Sequence, residues 1–165
     1  MSHAVAGTVA VLLLAAVLRD IATRTVPNWL PAMIAALGFG LRLADGNAIA
    51  GTAATATVLL GAGLCWSRGW MGGGDAKLAA AASLALPPAA IGPFLLAVAL
   101  VGGVLALIYL AASHLVTRPA PGIRRGFLAR ILKAEAWRMH RRGPLPYAAA
   151  IAAGGLYSLL PFIAG

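Results

Sequence analysis

Hydrophobic residues run through this chain in long blocks, parted by short polar interruptions. A membrane-crossing helix needs about 20 apolar residues, with a range of about 17 to 25. On that scale the pattern predicts six spans, at 3–19, 28–44, 47–66, 76–92, 93–113 and 145–164. The division between the fourth and fifth rests on "LPPAAIGP", where Pro87, Pro88 and Pro93 are expected to break the helix. Alanine and glycine recur in every block, and small residues let membrane helices approach closely. The expectation is an all-α integral membrane protein, a tight six-transmembrane-helix bundle formed by residues 1–165 as one domain.

Composition strengthens this reading. Of 165 residues, 61% are hydrophobic and 10% charged, against about 25% charged in soluble domains. Mean hydropathy is +0.90 and the pI is near 11.4. The net charge of +9 is confined to short polar segments. That distribution suits topology and anionic lipid headgroups rather than nucleic acid. Lone Cys65 lies in an oily block and reads as a small buried apolar residue. The charge of the first block follows its oily run, at Arg19, which is the wrong order for a cleaved signal.

The basic residues fall unevenly between the blocks. Arg19 and Arg24, Arg68 and Lys77, and eight bases from Arg118 to Arg142 occupy the odd-numbered loops, whereas Arg42 alone lies near an even one. By the positive-inside rule the odd loops are cytoplasmic and both termini lie outside. In the last of these loops, "GFLARILKAEAWRMHRRG" sets Phe127, Leu128, Ile131, Leu132 and Met139 against Arg130, Lys133, His140 and Arg141. This pattern predicts an amphipathic helix on the cytoplasmic membrane surface between spans five and six.

The chain has four acids. Asp45, in "ADGNA", reads as a turn former with Gly46 and Asn47. Glu135 lies among bases and is expected to pair locally. Asp20 closes the first span and Asp75 opens the fourth, so two complete spans separate them. Parity then returns both carboxylates to the same leaflet. Asp75 also suits a helix N-terminus as a cap, and Asp20 suits a salt bridge to Arg19 or Arg24. Ionisable groups at span ends are costly enough to suggest function. Two close carboxylates share a proton because they cannot easily both ionise. The ionised one can activate water against a peptide carbonyl, while the protonated one steadies the oxyanion and then feeds the leaving amine. Gly72, Gly73 and Gly74 would let an extended backbone approach Asp75, and would let the loop move.

These residues resemble a known family. "GGGD" at 72–75 fits the Gly-x-Gly-Asp signature of membrane aspartyl proteases. "DIATRTVPN" at 20–28 is similar to the first aspartate motif of the type IV prepilin peptidases, and "GDAKL" continues the second. "PLPYAAAIAAG" at 144–154 resembles the opening of their last span, with Ala148 where a glycine often stands. The resemblance implies that Asp20 and Asp75 are the catalytic pair, that Gly72 and Gly74 are motif glycines, and that Gly73, Pro27, Asn28 and Lys77 support them. Physically, Asn28 suits a helix cap and Lys77 a lipid-phosphate contact. Larger relatives carry a zinc-binding cytoplasmic domain and methylate the new pilin N-terminus. No such segment occurs here. The chain therefore resembles the small peptidase-only branch of tight-adherence (Flp-type) pilus systems. That branch implies no cofactor or metal, location in the bacterial inner membrane, and a prepilin substrate with a basic leader and a hydrophobic helix, cut at the cytoplasmic face.

Rival readings make separate demands. A non-catalytic helical scaffold or channel component would use Asp75 only as a cap and Asp20 only in a salt bridge. A zinc protease would show His-Glu-x-x-His, and a membrane serine protease Gly-x-Ser-Gly; neither pattern occurs. The archaeal preflagellin and presenilin-like branches share the glycine signature, but Pro27-Asn28 after Asp20 favours the prepilin branch.

Overall fold

A computed structural model describes residues 3–23, 25–115 and 147–163, and all its regular structure is helical. Among the described residues six helices follow in order: α1 (His3–Thr23), α2 (Trp29–Ala44), α3 (Ala48–Ser67), α4 (Gly73–Ala85), α5 (Pro88–Leu115) and α6 (Tyr147–Ile163). The amphipathic helix expected at 126–143 and Glu135 lie outside the described residues.

By length and composition, α1, α3 and residues Pro88–Ala111 of α5 suffice to cross a membrane. The apolar helices α2 and α6 are shorter. At 13 residues, α4 is about 20 Å long at about 1.5 Å per residue, well short of the roughly 30 Å hydrocarbon layer. The expected order of elements is present, but the fourth helix ends at Ala85 rather than at 92. Its break falls earlier, at Leu86 and Pro87.

The reason lies in where each proline falls. Leu86 takes an extended backbone, φ −94° and ψ 147°, as a residue ahead of proline prefers. Pro88 then occupies the first position of α5, where a missing N–H costs nothing. Pro93 lies inside α5 and does not break it. Proline is tolerated inside membrane helices when neighbours satisfy the freed backbone group.

Helix α4 is the centre of the bundle. Ala76 and every residue from Leu78 to Ala85 are buried. It packs against α2 and α3, with a smaller contact to α6. Two close approaches fix the α2–α4 pair. A Cβ built on Gly38 would lie 2.6 Å from the Ala85 backbone nitrogen and 2.7 Å from the Leu84 carbonyl carbon. No side chain fits there, so α2 and α4 touch backbone to backbone. On the α3 side, the Ser83 hydroxyl donates to the Ala80 carbonyl at 2.7 Å and lies 3.4 Å from Thr55 Oγ1.

Outside this centre, α1 and α5 both pack on α6. Gly155 of α6 receives Leu13 of α1, and Gly154 receives Val98 and the Phe94 carbonyl of α5. Large side chains of α5, such as Leu100 and Leu107, point outward and are more than 60% exposed, as suits a lipid-facing surface.

The expected turn at Asp45 is present. Gly46 takes φ +68° between α2 and α3. Asp45 also has a second role, because its Oδ2 lies 3.3 Å from Arg42 Nη2 as an ion pair. Arg42 is 1% exposed. Its aliphatic stem fills the space over Gly51, where a Cβ would meet Cδ at 2.7 Å. The lone base near an even loop is thus part of the α2–α3 hairpin. Cys65 is free and half-buried on α3, rather than buried as its setting in an oily block suggested.

Candidate active site

Asp20 lies in the last turn of α1 and is 6% exposed. It does not end the helix, which continues to Thr23. There the Thr23 hydroxyl donates to the Arg19 carbonyl at 2.9 Å and lies 2.9 Å from Thr25 Oγ1. The connection then reaches Pro27 and Asn28. Their carbonyls accept from the N–H groups of Leu30 (3.1 Å) and Ala32 (3.2 Å), which winds the first turn of α2.

Asp75 stands in the first turn of α4 and is half-buried. Gly72 is the N-cap, with extended backbone and no side-chain cap bond. Asp75 is therefore not the capping residue, although an acid in a first turn is favourable to the helix dipole. Its carboxylate folds back over Gly72. A Cβ on Gly72 would lie 3.0 Å from Asp75 Oδ2.

The three glycines have close neighbours within the protein. None of Gly72, Gly73 and Gly74 takes a positive φ. Each instead accommodates a neighbour within the protein. The indole of Trp66 at the end of α3 packs over Gly73, with Nε1 3.3 Å from a Cβ position there. Val26 of the α1–α2 connection packs over Gly74, its Cβ 3.3 Å from the corresponding point. Only Gly72 leaves its open side to the carboxylate of Asp75.

The Gly74–Val26 contact joins the two motif segments, and a polar contact joins them again. Lys77 Nζ donates to Asn28 Oδ1 at 3.0 Å. Asn28 occupies the N-cap position of α2, but its side chain makes no cap bond. It serves Lys77 instead. The expected cap bond of Asn28 is replaced by a cross-motif hydrogen bond, in which exposed Lys77 takes part. The last turn of α1, which holds Asp20, and the first turn of α4, which holds Asp75, lie at one end of the bundle.

Tryptophans mark the same end. Trp29 begins α2, while Trp66 and Trp70 lie at and just beyond the end of α3. All three are at least half exposed. The Arg68 guanidinium lies 5.4 Å from the centroid of the Trp70 ring, within cation–π range. Exposed tryptophan is enriched where lipid hydrocarbon meets water. Val26 and Trp66 are the contact residues that sequence reasoning missed. The only signals for them were an apolar residue just ahead of Pro27-Asn28 and an aromatic at a span end.

Gly72→Ala is expected to leave the fold intact and to perturb the carboxylate beside it. Gly72 is exposed, so the new methyl group displaces only the Asp75 side chain. If Asp75 is catalytic, as the sequence resemblance implies, the expected result is a lowered kcat for peptide cleavage with an unchanged melting temperature in detergent. An unchanged kcat would mean that the Asp75 rotamer seen here does not bear on catalysis.

Comparison with curated proteins and with solved structures finds no match. The family model for the type IV leader peptidase family matches residues 8–107. That stretch carries Asp20, the Pro27-Asn28 pair, the glycine run, Asp75 and Lys77. With well over half its length matched, the chain belongs to the type IV leader peptidase family, and so to the proteases.

Proposed function

We propose that the protein is a membrane aspartyl endopeptidase that removes the leader from type IV prepilins of the Flp type, with Asp20 and Asp75 as its catalytic pair. Water lies between the two carboxylates and the scissile peptide carbonyl. The ionised aspartate takes a proton from water as the oxygen attacks the carbonyl carbon. The protonated aspartate donates a hydrogen bond to the developing oxyanion. Collapse of the tetrahedral intermediate breaks the C–N bond, and the leaving amine takes up a proton from the carboxyl groups. The carboxylates return to one shared proton, with no covalent intermediate.

One observation carries the reading. The segments bearing the two aspartates, 49 residues apart at Asn28 and Lys77, are joined side chain to side chain at one end of the bundle. A scaffold needs no such convergence of these two acid-bearing helix ends. The exposed tryptophans at that end support a site at headgroup depth. The positive-inside pattern assigns this face to the cytoplasm of the bacterial inner membrane, with both termini outside. The activity proposed is proteolysis alone, without methyl transfer.

The test is direct. Purified protein in liposomes is mixed with a prepilin that retains its leader, and products are sized by mass spectrometry. Cleavage at a single bond after the leader, with a free unmethylated amine even when S-adenosylmethionine is present, is the expected outcome. An intact substrate after prolonged incubation would remove the proposal.

A further inference from the structure

An open groove of about 360 Å³ runs along the bundle surface from the cross-motif hydrogen bond. Asn28 and Lys77 form its polar end. From there it passes between Ala32 and Ala35 of α2 and Thr55 and Leu59 of α3. Ala80 and Ala81 of α4 lie along it, and Leu84 closes the far end. Helices α2 and α3 each lie along α4 but meet one another only sparsely. They form two walls on an alanine floor.

We propose that this groove docks one face of the substrate's hydrophobic helix and so sets the scissile bond against the aspartates; the inference rests on the peptidase reading above. Four features support it. The groove is continuous with the candidate active site, because Asn28 and Lys77 belong both to its mouth and to the aspartate motifs. Its lining is rich in alanine, and small residues are what membrane helices use to approach one another closely. Other outward faces carry bulky side chains instead, such as Leu14 of α1 and Leu96, Leu100 and Leu107 of α5.

The dimensions also suit a helix face. Lys77 to Leu84 covers eight residues, a rise of about 10 Å or roughly two turns of an α-helix. A helix is about 10–12 Å across with its side chains, so a groove of 360 Å³ takes one face and leaves the other to lipid. At the mouth, Lys77 carries three donors, of which one serves Asn28. The others are available to backbone carbonyls of the extended segment ahead of the substrate helix.

Two measurements test the docking. In the first, Cys65→Ala/Asp75→Asn protein carries Ala32→Cys, Thr55→Cys or, as controls, Leu100→Cys or Ile108→Cys. It is oxidised with prepilins bearing single cysteines along the hydrophobic segment. Disulfides are expected from positions 32 and 55, recurring every three to four residues along the substrate, and not from positions 100 and 108. Equal cross-linking from the α5 positions, or none from the groove, would overturn the proposal. In the second, Ala32→Trp is expected to raise KM for the full prepilin at least tenfold with little change in kcat, whereas Leu100→Trp changes neither. Unchanged KM in Ala32→Trp, in protein that cleaves normally, would overturn the groove while leaving the peptidase intact. Groove-specific cross-links in a protein whose wild type cleaves no prepilin would instead refute the peptidase and leave the groove standing.

Discussion

Replacing Asp20 or Asp75 by Asn is expected to reduce prepilin cleavage by at least about 10²–10⁴-fold, the range attributed to general acid–base catalysis. Asparagine keeps the size and much of the polarity of the side chain but can neither accept the proton from water nor return one to the amine. The membrane level of each variant is expected to match wild type. Asp75 stands in an outward-opening first turn, half-buried, so its amide causes no packing conflict. Asp20 is almost fully buried, and an amide of equal size is the mildest change available there. If the two aspartates act as one unit, the double variant is no worse than either single one, because such losses do not add. Cleavage retained in a well-folded double variant would exclude the mechanism. Cleavage lost in proportion to lost protein would show a structural role instead.

The second large effect is on stability. Gly38→Ala is expected to lower the melting temperature in detergent and to slow cleavage, although it lies far from the aspartates. Two terms oppose one another. Alanine is a better helix former than glycine by about 1 kcal/mol. The added methyl group, however, would stand 2.6–2.8 Å from three backbone atoms of Leu84 and Ala85. Those atoms cannot rotate away as a side chain end can. Overpacking of this kind costs about 1–3 kcal/mol, so the collision wins and α2 is pushed off α4. The Asn28–Lys77 hydrogen bond joins the same two helices near their N-terminal ends, so the displacement reaches the candidate site. Gly40→Ala is the matched control. Nothing lies within 4 Å of its Cβ position, and the helix term alone makes it neutral or stabilising. Equal melting temperatures for the two variants would mean that the α2–α4 contact does not limit stability.

Much of this was legible from the order of residues. The long apolar blocks gave the helices, because each exceeds what a helix of a soluble domain usually contains. Two of the acids stood at block ends, and parity alone brought them to one face. The fourth helix was misjudged for a physical reason. Hydropathy sums over residues 76–92 without asking where the backbone can continue, whereas Leu86, ahead of Pro87, is driven out of the helical region. Pro93 was given too much weight, since a proline near the start of a membrane helix disturbs only one backbone acceptor. The partners of the glycines could not be seen at all. That Gly73 faces Trp66 and Gly74 faces Val26 depends on how three helices pack, and glycine leaves no trace of what fills its missing side chain. The pairing of Lys77 with Asn28 was hidden likewise, as each residue had a plausible local role of its own.

The shortness and enclosure of α4 have a consequence for biogenesis. With alanine at six of its thirteen positions and only 13 residues in all, this segment gains little by leaving a translocation channel for lipid alone. Its surface is instead matched to protein, since α2 and α3 flank it and α6 lies behind. Entry into the bilayer is then a cooperative act, in which the chain from Trp29 to Ala85 partitions as one unit once its outer helices have formed.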